Sequence, residues 1–119
     1  MSVLIVEPNE DLQELMALSV GACPVRLAKR GDEALHQMLV EPPRVIVVEL
    51  DLAGMIGERL AIRARTLPDP PLIVLTSADH DRLRRAARYA DRVLPKPFEM
   101  ATLEAAVAQG CSPRVGASV

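Results

Sequence analysis

Five short apolar runs alternate with five segments of helical period along this chain, and this alternation is the strongest constraint on its fold. The runs cover residues 2–7, 25–28, 44–50, 72–76 and 92–94. They are rich in Val, Leu and Ile and too short for helices. The continuous apolar stretch of residues 45–48 suits a central strand buried on both faces. Between the runs, apolar residues recur at helical spacing. Leu12, Leu15, Met16, Ser19 and Val20 share one face of a first helix, opened by Asn9 as N-cap and closed at Gly21. Ala34, Leu35, Met38 and Leu39 share the inner face of a second helix, which starts at Gly31 and stops at Pro42 and Pro43. A third helix is expected over residues 57–66. A fourth, over 79–89, turns Leu83, Ala86, Ala87 and Ala90 inward. A fifth, over 99–109, runs through Leu103, Ala106 and Val107. Strand followed by helix, five times over, requires a parallel sheet with helices on both faces. Right-handed crossovers leave few topologies, and the strand order 2-1-3-4-5 is expected.

The chain has 119 residues, the size of one domain. A chain of this length can bury roughly 65% of its unfolded surface without a disulfide or metal to hold it. The domain is expected over residues 1–109, with 110–119 as a flexible tail or linker stub. Tyr89 and Phe98 are the only aromatic residues, so the core is aliphatic. The net charge of −2 argues against the chain as a whole binding nucleic acid. Cys23, placed in a strand, and Cys111, placed in the tail, form no motif and read as free thiols of a reducing cytosol. No apolar run has the ~20 residues of a membrane span, and a cytoplasmic location without membrane contact is expected.

In sheets of this kind ligands bind beyond the carboxyl ends of the strands, at the point where strand order reverses. Glu7 and Pro8 end the first strand, Glu49 and Asp51 the third, Thr76 and Ser77 the fourth, and Lys96 follows the fifth. Acids, hydroxyls and one lysine at a common edge suit a cation beside an oxyanion. Carboxylates are hard ligands for Mg²⁺, a hydroxyl can donate to a phosphoryl oxygen, and an ammonium can neutralise it.

Four segments, in this order and spacing, extend the reading: Val6-Glu7-Pro8-Asn9-Glu10-Asp11, the stretch from Glu49 to Gly57, Ile73-Val74-Leu75-Thr76-Ser77, and Leu94-Pro95-Lys96-Pro97-Phe98. Together they resemble the anchors of the CheY-like receiver domains of bacterial response regulators, over residues 2–109. The resemblance implies a flavodoxin-like (βα)5 three-layer α/β sandwich and a role in two-component phosphorelay signalling. It implies a signalling module and not an enzyme. It places Glu49 at the phosphoacceptor position, Thr76 and Lys96 at the phosphate-sensing positions, and Val93 where a switching aromatic usually stands. It also implies a cis peptide before Pro97.

The departures from the family pattern shape the functional expectation. Glu49 replaces the acceptor aspartate and carries its carboxylate about 1.5 Å further out. Pro8 replaces the second acid of the metal-binding pair and offers no side-chain ligand. In-line phosphoryl transfer depends on positioning and metal charge, so both changes work against it. The expectation is a pseudo-receiver acting through protein contacts, with Glu49 reaching toward Lys96 and Thr76 in partial imitation of a phosphorylated residue. No cofactor is expected; if Mg²⁺ binds, Glu7 and Glu49 are its ligands, with Asp51 completing the acidic pocket.

Arg82, Arg85, Arg88 and Arg92, with Glu99 and Glu104, form the expected partner surface on the fourth helix, fifth strand and fifth helix. A histidine kinase, an effector domain or a second copy in a homodimer would dock there. Nucleic acid is not expected on this domain, which lacks interleaved aromatics. One alternative keeps phosphorylation on Glu49 or Asp51, with Mg²⁺ held by Glu7. A second reads Glu7, Glu49 and Asp51 as the acids of a Toprim-like nucleic-acid enzyme, although the glycine expected after the first Glu is absent.

Overall fold

A computed structural model describes residues 2–21 and 23–111. In chain order the elements are β1 (Val3–Val6), α1 (Glu10–Ser19), β2 (Val25–Ala28), α2 (Gly31–Val40), β3 (Val45–Glu49), α3 (Gly57–Arg65), β4 (Leu72–Ser77), α4 (His80–Ala86), a single 3₁₀ turn (Ala87–Tyr89), β5 (Arg92–Pro95) and α5 (Met100–Cys111). All strands are parallel and their order is β2-β1-β3-β4-β5, as the alternation predicts.

Strand alternation divides the core cleanly. Leu4, Val6, Ile46, Val48, Ile73 and Leu75 face α2, α3 and α4, where Ala34, Met38, Leu60, Ala61, Ala64 and Leu83 cover them. Val3, Ile5, Val45, Val47, Val74 and Leu94 face α1 and α5, where Met16, Val20, Leu103, Ala106 and Val107 cover them. Burying one such aliphatic side chain contributes about 1.5–3 kcal/mol, so each half of the core offsets much of the chain's ordering entropy.

Caps set the helix starts. The Asn9 side chain accepts the Leu12 N–H at the head of α1, and Asp79 accepts the Arg82 N–H at the head of α4. Glu10 and Asp11 complement the helix dipole in the first turn of α1.

Several expectations are corrected. Leu15 and Leu39, assigned to inner faces, are 54% and 51% exposed. Each lies at the margin of its apolar stripe, where rotation of the helix by part of a turn decides burial. Gln13 is buried instead, and its amide donates to the Ala28 carbonyl at 2.9 Å, binding α1 to the edge strand. The fourth helix is shorter than its periodicity, with its last turn 3₁₀. The fifth helix continues through Gly110 to Cys111, and residues 112–119 of the expected tail lie outside the described residues. The cysteines are not free thiols: Cys23 and Cys111 are joined in a disulfide. Cys23 occupies the bend before β2 and not a strand, and Cys111 is the last residue of α5.

Candidate functional site

The parity that sorts the core also assembles the site. Along β1 the residues facing α1 and α5 are Val3 and Ile5, along β3 Val45 and Val47, along β4 Val74, and along β5 Leu94. Two residues further along each chain segment stand Glu7, Glu49, Thr76 and Lys96. They share one face at one edge because the side-chain period of a strand is two. Glu49 lies opposite Thr76 in register.

One lysine spans two carboxylates. Lys96 Nζ donates to Glu7 Oε1 at 2.7 Å and to Glu49 Oε1 at 3.3 Å. The remaining oxygens are also engaged: Glu7 Oε2 accepts the Asn9 N–H at 3.0 Å, and Glu49 Oε2 accepts the Leu50 N–H at 2.9 Å. Glu7 is 1% and Glu49 8% exposed. The Lys96–Pro97 peptide is cis, as the resemblance implies. The Lys96 backbone is held from both sides, its N–H donating to Ser77 O and its carbonyl meeting His80 Nε2 at 2.9 Å.

Glu49 does not reach Thr76 as expected. Thr76 Oγ1 is buried and has no hydrogen-bond partner among the described residues. Leaving a buried hydroxyl unpaired costs about 1–3 kcal/mol. Asp51 is exposed and outside the cluster. Val93 is half-buried against the α2–α3–α4 half of the core, as is Tyr89.

Burial pushes the Glu49 carboxyl above its usual range; Lys96 opposes this and the Glu7 charge adds to it. Burial works against the charged form of Lys96, but the hydrogen bond and charge of Glu7, with those of Glu49, outweigh it and hold the ammonium above its usual range. The consequence for stability has a definite sign. A carboxyl whose folded pKa exceeds its unfolded value of 4.5 leaves the native state binding the extra proton. Stability from this group is therefore intact below that pH and lost as pH rises through the folded value. Glu49→Gln is expected to match the parent near pH 4 and to exceed it in stability near pH 7. Urea unfolding of both proteins at the two pH values measures the difference; equal midpoints at both would refute it.

Mg²⁺ is bound through one or two carboxylates and keeps several of its waters. Here an ammonium stands between the two carboxylates, their other oxygens accept backbone N–H groups, and Pro8 supplies no donor. No cluster of three or more metal-ligating side chains occurs among the described residues.

The loop after β3 is fixed on two sides. Gly54 has φ +82°, the left-handed region, and packs against the Asp32 carboxylate at the head of α2. The Gly31 N–H donates to Ala53 O at 2.9 Å. On the other side Arg82 donates to Leu50 O at 3.1 Å and forms a two-pronged pair with Glu58 at 2.7 and 2.9 Å. Sequence reasoning assigned Arg82 to the partner surface; the structure turns it toward α3 and the loop. Only the Glu58–Arg82 charge complement hinted at this, and the two lie 24 residues apart. Arg85, Arg88 and Arg92 are exposed, with the Arg88 guanidinium 5.0 Å from the Tyr89 ring centre; Glu99 and Glu104 are exposed on α5.

Comparison with known proteins agrees with this fold. The family model described as response regulator receiver domain matches residues 3–108. The chain is 30% identical over 108 residues to the response regulator MprA of Mycobacterium avium, covering 87% of this chain and 47% of that protein. It thus spans about half the length of the curated relatives it matches. A solved chain from Chloroflexus aurantiacus, named as a candidate response regulator, superposes with a TM-score of 0.84 at 26% identity, covering 94% of this chain and 98% of that one. A CheY-like receiver domain from Methylobacillus flagellatus superposes at 0.81 with 24% identity, covering 92% and 98%.

Proposed function

The chain belongs to the response regulator receiver family, and from that premise we propose that it is a receiver that signals through protein contacts without accepting a phosphoryl group. Receivers of two-component systems interact with kinases and effector domains. The observation that carries the reading is the Glu7–Lys96–Glu49 cluster, in which the Lys96 ammonium bridges the two carboxylates. An acceptor must offer a lone pair in line with the donor phosphorus, beside a metal that neutralises developing charge. Glu49 carries its carboxylate one methylene further out than an aspartate would, and Pro8 removes a metal ligand.

The exposed Arg85, Arg88 and Arg92 beside Glu99 and Glu104 support docking on the α4–β5–α5 face, by a partner domain or a second copy. One observation favours the rival, phosphorylatable reading: the unpartnered Thr76 hydroxyl has the chemistry to meet an incoming oxyanion.

One titration separates the two. The protein is followed by amide NMR with Mg²⁺ and then beryllofluoride, which stands in for a phosphoryl group on a carboxylate. The expected result is no saturable shift at Glu7, Glu49, Thr76 or Lys96. Saturable shifts at those residues with both additions would establish a working acceptor site and overturn the proposal.

A further inference from the structure

We propose that Cys23 and Cys111 form a reversible redox staple that fastens the last turn of α5 to the body of the domain when oxidised and releases it when reduced. The inference does not depend on whether Glu49 can be phosphorylated. The two residues are 88 positions apart in sequence, yet their Cα atoms lie 6.2 Å apart, within the span that a disulfide needs. They tie the bend between α1 and β2 to the end of the last described helix. The staple therefore acts on the last turn of the last described helix.

Apart from the disulfide, the Gly110 backbone packs closely on Val45 and Leu72 at the starts of β3 and β4, a contact made without a side chain. Glycine is a poor helix former, and the turn has no basic side chain to complement the helix dipole. Its burial ends at Val107; Ala108 and Gln109 are exposed, and Gly110 and Cys111 are only partly covered. A covalent bond at its final residue adds to this backbone contact and limits fraying of the turn.

The two sulfurs also differ in access. Cys23 is 5% exposed and packed in the α1–α5 half of the core, whereas Cys111 is half-buried at the helix end. An incoming thiolate is expected to attack Cys111, forming a mixed disulfide there and expelling the Cys23 thiolate, which takes up a proton. A second thiolate then displaces Cys111. The balance is one protein disulfide and two small thiols giving two protein thiols and one small disulfide. In reverse, glutathione disulfide supplies the oxidant and accepts two electrons from the pair.

The test uses the full chain equilibrated in glutathione buffers from fully oxidised to fully reduced. Alkylation and peptide mass spectrometry read the Cys23–Cys111 link. Hydrogen exchange reads the amides of Gln109, Gly110 and Cys111. The linked peptide is expected to appear and vanish with the glutathione ratio. Exchange at those amides is expected to quicken about tenfold on reduction, with interior β3 amides far less affected. Cys23→Ser and Cys111→Ser are expected to exchange like the reduced parent in every buffer. The proposal fails if no linked peptide forms under oxidation, if the link survives the fully reduced buffer, or if exchange at the three amides is the same in both states.

Discussion

Replacing Lys96 with methionine is expected to destabilise the domain by about 3–5 kcal/mol near neutral pH, the range found when one partner of a buried ion pair is removed. The stem of methionine occupies similar space, so the loss isolates the charge. Without the ammonium, Glu7 and Glu49 are left as two buried carboxylates sharing one pocket with no cation between them. The intact cluster need not be a large net stabiliser for this to hold, because the desolvation of its charges offsets much of their attraction. The cost arises from leaving charges behind. Two signatures identify the cause. The loss shrinks as pH falls and the Glu49 carboxyl, held above its usual range by burial, protonates. Adding Glu7→Gln and Glu49→Gln to Lys96→Met recovers most of the stability, a strongly non-additive result for residues in one network. Guanidinium unfolding of the parent, Lys96→Met, the Glu7→Gln/Glu49→Gln pair and the triple variant measures both. A loss under about 1 kcal/mol for the single variant would mean that the cluster behaves like a solvated surface pair.

Gly57→Ala tests how closely α3 is set beneath the site. In an ordinary helix this substitution gains about 0.5–1 kcal/mol. Here the added Cβ would lie 2.5 Å from the Glu49 carbonyl oxygen and 2.6 Å from the Leu50 Cα. These are backbone atoms at the end of a central strand, tied to β4 by the Leu50 N–H to Thr76 O bond at 3.0 Å. They cannot swing aside as a long side chain would. Overpacking of this kind costs about 1–3 kcal/mol, so steric cost outweighs helix propensity and the net sign reverses. Displacement of α3 or β3 would also be read at the site, as amide shifts at Glu49, Leu50 and Lys96. Gly21→Ala is the control: its nearest contact would be Leu18 O at 3.8 Å, an ordinary distance, and it is expected to be neutral or slightly stabilising. A gain in stability for Gly57→Ala would show that the strand end is softer than its hydrogen bonding implies.

Much of the fold was legible because it rests on two local periods. Alternating strand and helix patterns were enough to predict the parallel sheet and its order, with most element ends within two residues and the end of α4 three residues early. Leu15 and Leu39 were misplaced because a helical stripe has margins, and the sequence does not state how a helix is rotated on its sheet. The Arg82–Glu58 pair was missed for the same reason: Glu58 belongs to another helix. The cysteines were misread because spacing carries no information on whether two distant residues meet.

By itself, the sequence determined that Glu7, Glu49, Thr76 and Lys96 gather at one edge of one sheet face, since a period of two carries the parity of each buried strand to its end. Only the tertiary structure decided what these groups do to one another. Lys96 meets Glu49 across 47 residues and Glu7 across 89, and a displacement of one or two ångströms would leave those charges unpaired. Periodicity specifies which way a side chain points. Hydrogen bonds and disulfides depend on distances that are set when all five strands and both helical layers pack together.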